Sequence, residues 1–107
     1  MTIQESPWRR NESGYAEHLS HERHRFAWCF VQHGGATHTE AVILAESFYP
    51  YESEAEPYRG LVFHDEAWHW AMLRIVGEQY WQLRPELQAP SEEYRAESQA
   101  FAAAREA

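Results

Sequence analysis

The first half of the chain carries bulky residues at intervals of three, four and seven positions. They are Tyr15, Leu19, Phe26, Phe30 and His33. This spacing places their side chains on one side of an α-helix. Asn11 or Ser13 can cap the start of that helix, and Gly34-Gly35 is a common helix end. The pattern therefore predicts a helix over residues 12–33.

A capping motif predicts a second helix over residues 38–49. Thr37 and Glu40 have the Thr-x-x-Glu spacing in which each side chain accepts a hydrogen bond from a backbone N–H at the helix start. Pro50 cannot continue a helix, so this one is expected to end at residue 49. The residues expected to face inward are Ala41, Leu44, Ala45 and Phe48.

The same region is compatible with a different structure. Residues 26–33 and 39–46 are rich in β-branched and aromatic side chains, and glycines lie between them. Periodicity alone does not distinguish a short buried strand from a buried helix. The alternative fold is therefore α+β, with a β-hairpin at 26–33 and 39–46 packed against a helix at 64–83. We favour the helices because the capping motif and the alanine, leucine and glutamate content suit them.

Residues 64–83 contain three of the five tryptophans and are predicted to form one helix. Asp65 suits its first turn, and Pro85 prevents its continuation. One side of this helix is a predicted core stripe of Leu61, Trp68, Met72, Ile75 and Leu83. Phe63, Trp70 and Trp81 lie on nearly the opposite side. These three aromatic residues are either covered by other helices or exposed as a patch for self-association or a protein partner.

Two further segments complete the predicted fold. Residues 50–59 hold two prolines and three glutamates, which is typical of an acidic connecting loop. A last helix is predicted over 91–104, because an acidic first turn is favoured by the helix dipole. Residues 1–10 and 104–107 are expected to be flexible. The sequence thus predicts a mostly α, compact four-helix single domain over 1–107, with helices at about 12–33, 38–49, 64–83 and 91–104.

Composition narrows the classes of partner. The chain has 107 residues and a formal net charge of -8, which opposes binding to nucleic acid. No apolar stretch is long enough to span a membrane, so no membrane partner is predicted. A single cysteine, Cys29, cannot form an intramolecular disulfide. Together with the absence of a secretion signal, this predicts a cytoplasmic protein.

Histidines supply the candidate metal ligands. His18 and His21 are three positions apart on the predicted first helix, and Glu22 is close to His18. His69 follows Glu66 at the Glu-x-x-His spacing used by di-iron helix bundles, but those bundles need a second such motif. A tight zinc site would need a further ligand brought in by folding. We predict no cofactor, and these four residues are candidates only.

Catalytic chemistry has little support in the sequence. Cys29 lies among aromatic residues, and burial there would keep it a neutral thiol. The sequence has no phosphate-binding glycine loop and no Cys-x-x-Cys pair. An enzyme would have to use His69 or His33 as a general acid or base in a tryptophan-lined pocket.

The function expected from these features is interaction with another protein. Phe48-Tyr49-Pro50, followed by Arg59-Gly60-Leu61-Val62 and a tryptophan, resembles nuclease-colicin immunity proteins over those few residues. The resemblance implies a small acidic helical protein that binds a partner. We expect a homodimer or a protein partner to use Phe63, Trp70 and Trp81, or a basic partner to use the acidic 50–59 segment and the glutamates near Glu92. A metal-binding protein and a small enzyme are the alternatives.

Overall fold

The computed structural model describes residues 6–106, and every regular element in them is helical. Five α-helices follow one another as α1 (Glu12–Gly34), α2 (His38–Phe48), α3 (Ala67–Ile75), α4 (Tyr80–Leu83) and α5 (Glu92–Glu106). Short 3-10 helices occupy Leu61–His64 and Pro85–Leu87. The predicted compact helical fold is confirmed. No helix within residues 6–106 is both long and apolar enough to cross a membrane.

Helix α1 is the centre of the molecule, because α2, α3 and α5 all pack against it. Its start is capped by the Asn11 side chain, whose Oδ1 accepts a hydrogen bond from the Gly14 N–H at 3.1 Å. Its end is formed by Gly35, which has a left-handed φ of 70°. A glycine adopts that conformation without the steric penalty of a side chain. The buried apolar residues of α1 are Tyr15, Leu19, Phe26, Ala27 and Cys29.

Helix α2 begins with the predicted capping box. The Thr37 Oγ1 accepts from the Glu40 N–H at 3.2 Å, and the Glu40 carboxylate accepts from the Thr37 N–H at 2.9 Å. The β-hairpin alternative at 26–33 and 39–46 is wrong, because these residues lie within α1 and α2 and no strand occurs among residues 6–106. Ala41 and Ala45 are buried as predicted. Leu44 is not, since it lies on the exposed side of α2.

The prediction of one continuous helix over 64–83 is wrong. Helix α3 ends at Ile75, and the chain leaves the helical conformation at Gly77 and Gln79, whose φ angles are 125° and 61°. The core stripe predicted for a continuous helix is therefore wrong at both of its ends, Leu61 and Leu83. In the middle of the stripe the prediction agrees with the structure, since Trp68 and Met72 are buried and Ile75 is half-buried. Leu61 and Leu83 are instead 66% and 68% exposed.

Helix α5 closes the fold by packing along α1. The Phe101 ring stacks on His24 with centroids 4.0 Å apart, and the His24 Nε2 lies 2.9 Å from Glu97. Arg105 donates two hydrogen bonds of 2.6 Å to Glu17. Helix α5 extends two residues beyond the predicted 104. The flexibility predicted for 1–10 and 104–107 stays a prediction, and residues 1–5 and 107 lie outside the described part of the chain.

Candidate partner-binding site

The three aromatic residues predicted to bind a partner differ in how far they are exposed. Phe63 is half-buried and packs on Tyr15 and Trp8. Trp70 is also half-buried, and its indole N–H donates to the Val62 carbonyl at 2.9 Å. Trp81 is 39% exposed. Trp70 and Trp81 remain neighbours across the break between α3 and α4, because the His69 ring lies 5.4 Å from one and 6.4 Å from the other. The partner-binding role of all three residues stays a prediction.

Two of the four candidate metal ligands, His18 and Glu22, lie beside each other, and the other two have different partners. His18 Nε2 lies 3.5 Å from the Glu22 carboxylate, whereas His21 Nε2 lies 2.9 Å from Glu17. His69 Nδ1 lies 2.9 Å from the Tyr80 hydroxyl. Among residues 6–106, no three histidine, cysteine or acidic side chains are arranged to hold a metal ion. The metal-binding hypothesis therefore gains no support from this arrangement.

Burial favours the neutral forms of two candidate catalytic groups, Cys29 and His33. Burial raises the pKa of the Cys29 thiol to about 12, so it is protonated at neutral pH. Burial lowers the pKa of His33, whose ring packs edge-on against Trp68 at 5.4 Å. A nucleophile and a base within hydrogen-bond reach of each other are the usual mark of covalent catalysis. Within residues 6–106, the side chains of Cys29 and His33 form no hydrogen bond that would make such a pair.

The residue that organises the surface of the molecule is Arg59, which was not predicted. Its guanidinium is fully buried and donates to the Trp8 carbonyl from Nε and Nη2 at 2.8 and 2.6 Å. Nη1 donates to the Glu12 carboxylate at 2.8 Å, and the Glu52 carbonyl lies 3.4 Å away. The cation also lies over the Tyr15 ring, 4.3 Å from its centroid. A buried charge is tolerated because it is paired and hydrogen-bonded in this way.

Arg59 and its neighbours hold residues 51–58, which we call the acidic loop. The Glu52 carboxylate accepts from the Gly60 N–H at 2.9 Å, and its backbone N–H donates to the Tyr15 hydroxyl at 2.9 Å. The Ser6 hydroxyl donates to the Arg59 carbonyl, and the Ser6 N–H donates to the Pro57 carbonyl at 3.0 Å. The loop lacks helical structure, yet its two ends are fixed by hydrogen bonds to distant parts of the chain.

The outer surface of the acidic loop combines tyrosines with carboxylates. Tyr51 and Tyr58 are 55% and 51% exposed, and Glu54 and Glu56 are exposed between them. Within residues 6–106, neither glutamate forms an ion pair. The Tyr51 hydroxyl donates to Glu12 at 2.6 Å. This hydrogen bond, followed by that from Arg59, lowers the pKa of Glu12, so the Glu12 carboxylate is ionised at neutral pH.

A groove of about 850 Å³ adjoins the acidic loop. We call it the aromatic groove. Its floor is a packed trio in which the Trp8 ring stacks on His18 at 4.9 Å and Phe63 meets His18 edge-on at 4.5 Å. Tyr58 and Leu61 form part of its exposed rim. Gly60 allows Trp8 to approach this closely, because a Cβ there would lie 2.5 Å from the Trp8 ring.

A second buried charge lies two turns farther along α1, on the same face as Tyr15. The Glu22 carboxylate accepts from Arg25 Nη1 at 2.8 Å through one oxygen. Its other oxygen and the buried hydroxyls of Tyr49 and Tyr94 have no hydrogen-bond partner within residues 6–106. Burial raises the pKa of Glu22, against the lowering by Arg25. Burial also raises the pKa values of both tyrosines, and Glu22 contributes to each increase.

Sequence reasoning missed Arg59 because it treated residues 50–59 as a solvated linker. One signal was available. Arg59 is the only cationic residue between Arg25 and Arg74, and it ends a segment with three glutamates. A single arginine in such a segment can neutralise and order it.

Comparison with known proteins provides no assignment. No family model, curated protein or solved structure matches the chain.

Proposed function

We propose that this protein binds a basic protein partner through the acidic loop. The observation that carries the proposal is the burial of Arg59 beneath the loop, with Tyr51, Glu54, Glu56 and Tyr58 exposed above it. A loop whose ends are already fixed loses little conformational entropy on binding. The proposed role is recognition, and the acidic loop is its principal surface.

The exposed side chains suit a protein interface. Tyrosine is enriched at interfaces because it supplies a large apolar ring and a hydroxyl with only two side-chain torsions. The glutamates supply charge complementarity, which accelerates association with a basic partner and disfavours acidic ones. The net charge of -8 supports the same choice of partner.

Binding of a fluorescent oligo-arginine peptide tests the electrostatic part of this proposal. The double variant Glu54→Gln/Glu56→Gln is expected to weaken binding by about fivefold at low salt, because it removes two charges from the proposed surface. The double variant Glu92→Gln/Glu93→Gln removes the same charge from the start of α5. It is expected to change the affinity by less than about twofold. Equal weakening by both pairs would mean that only the net charge matters, which would overturn the proposal.

Tyr58→Ser tests the contribution of the aromatic residues. The Tyr58 side chain is exposed and forms no hydrogen bond within residues 6–106, so its replacement leaves the loop anchored by Arg59. We expect Tyr58→Ser to weaken binding by about threefold or more with an unchanged dependence on salt, since the loss is apolar contact. An unchanged affinity would exclude Tyr58 from the interface.

Self-association through α4 is the second candidate function. Trp81 and Leu83 are 39% and 68% exposed on this short helix, and exposed aromatic and apolar residues are common interface anchors. Measurement of the mass in solution, with Trp81→Glu as the variant, tests it. A dimeric mass that becomes monomeric in the variant would support self-association, and a monomeric wild type would exclude it.

A further inference from the structure

The aromatic groove offers apolar and aromatic surface more than free polar groups. The Ser6 hydroxyl at its edge is already bonded to the Arg59 carbonyl. The His64 ring has Nδ1 2.7 Å from the Leu61 carbonyl and Nε2 3.3 Å from the Asp65 carboxylate. Burial lowers the pKa of His18, whose ring packs within the floor. An occupant of the groove is therefore recognised chiefly by apolar and aromatic contact.

The groove is continuous with the acidic loop. Tyr58 belongs to both, and the adjoining Leu61 is 66% exposed at the rim. A chain segment that meets Glu54 and Glu56 can therefore extend directly over Trp8 and Phe63. The volume of about 850 Å³ falls in the usual range of ligand-binding pockets, so the groove has room for a large side chain.

We propose that the aromatic groove receives a tryptophan or another bulky aromatic side chain from the basic segment that the acidic loop binds. This inference rests on the proposed function, since the acidic loop selects the segment and the groove selects one side chain within it. The division is typical of interfaces, in which a central apolar anchor is surrounded by charged residues. The partner chemistry is thus a basic segment with an aromatic residue among its arginines.

Two oligo-arginine peptides, identical except for a central tryptophan or alanine, test the inference. We expect the tryptophan peptide to bind the wild-type protein about tenfold more tightly, because it buries an additional ring. Leu61→Gln is expected to reduce this ratio by about threefold, because it replaces apolar surface at the rim. Leu83→Gln is the matched control, since Leu83 is similarly exposed but lies on α4 away from the groove. It is expected to leave the ratio unchanged.

The outcomes separate the two proposals. Equal binding of both peptides, together with the loss caused by Glu54→Gln/Glu56→Gln, would overturn the groove inference and leave the acidic loop supported. A preference for tryptophan that Leu61→Gln and Leu83→Gln reduce equally would place the ring elsewhere and overturn the inference. Binding by neither peptide would overturn both proposals. A dimer in solution that Leu61→Gln converts to a monomer would identify a second copy of this chain as the occupant, which also contradicts the inference.

Discussion

Arg59 and Glu22 are both buried charged residues, but their surroundings satisfy them to different degrees. The Arg59 guanidinium has two backbone carbonyls, a carboxylate and an aromatic ring around it. Glu22 has Arg25 and His18 beside one oxygen and no hydrogen-bond partner for the other among residues 6–106. Arg59 lies where an irregular loop can direct carbonyls at it. Glu22 lies in the middle of α1, where burial raises its pKa more than the Ala67 backbone at the start of α3 lowers it.

The difference explains what each charge does for the fold. An arginine with its donors occupied orders the segments that supply the acceptors. A carboxylate that is only partly hydrogen-bonded costs free energy to keep ionised in the interior. The comparison therefore predicts that Arg59 stabilises the protein strongly and that Glu22 does not.

Arg59→Met is expected to have the largest effect. It removes two of the three donors to the Trp8 carbonyl, leaving the Asn11 N–H, and it removes the ion pair with Glu12. We expect the midpoint of thermal unfolding to fall by about 10 °C or more. Arg84→Met, which removes an exposed arginine paired with Glu86, is the control and should shift the midpoint by only about 1–2 °C. Similar shifts for both variants would contradict the special role of Arg59.

Gly60→Ala is expected to have the next largest effect. It combines a left-handed φ of 82° with a Cβ that would lie 2.5 Å from the Trp8 ring. We expect a loss of about 3 kcal/mol in the free energy of unfolding by denaturant. Gly35→Ala separates the two causes, because Gly35 has a φ of 70° and open space around a Cβ. A loss of about 1 kcal/mol is expected there, and an equal loss at both glycines would show that contact with Trp8 is unimportant.

Two tyrosines extend the comparison, because Tyr15 contacts Arg59 and Tyr49 lies near Glu22. Tyr15→Phe removes the acceptor of the Glu52 N–H and should cost about 1 kcal/mol in the free energy of unfolding. Tyr49→Phe removes a buried hydroxyl that has no partner within residues 6–106. Its effect should lie within about 0.5 kcal/mol of zero or be stabilising. A loss at Tyr49 as large as that at Tyr15 would indicate that the Tyr49 hydroxyl has a hydrogen-bond partner in solution.

Glu22→Gln is expected to have the smallest effect and a distinctive dependence on pH. Burial raises the pKa of Glu22 from its ordinary value of 4.5, so the folded state binds this proton more strongly than the unfolded state. The wild type therefore loses stability as the pH rises from 4.5 through the folded-state pKa. The glutamine variant lacks this loss.

The measurement is the difference between the thermal midpoints of Glu22→Gln and the wild type across that pH range. The thermal midpoint of the variant should increase relative to that of the wild type as the pH rises. The difference between the two midpoints should remain smaller than that between Tyr15→Phe and the wild type, because Glu22→Gln also loses the ion pair with Arg25. A difference that moves in favour of the wild type would mean that Arg25 lowers the Glu22 pKa more than burial raises it.

The helices with clear start and end residues could be predicted from the sequence. Asn11, Thr37 and Pro50 mark boundaries through local hydrogen bonds and backbone geometry, which depend on neighbouring residues alone. The break after Ile75 could not be predicted with the same certainty. Gly77 marks it, but Gln79 adopts a left-handed φ of 61° that glutamine rarely takes. Packing of Trp68 and Tyr80 in the core outweighs that local preference.

The candidate site was only partly predictable. The acidic character of residues 50–59 and the choice of a basic partner follow from charge and composition, and they remain predictions. The burial of Arg59 depends on Trp8 and Glu12, which are about fifty positions earlier in the chain. Phe63 and Trp70 were grouped with Trp81 because one helix was assumed. Long-range contacts of this kind leave no periodic signal in a single sequence.

The distance along the chain between Arg59 and its acceptors has a kinetic consequence. Its hydrogen bonds join residues separated by 47 and 51 positions, whereas α1 and α2 are connected by the short segment 35–37. Closing a long loop has a larger entropic cost, so we expect α1 and α2 to associate before the Arg59 contacts form. Substitution of Arg59 should then accelerate unfolding and leave the refolding rate nearly unchanged. The rate at which these contacts open would set how long the acidic loop keeps its shape.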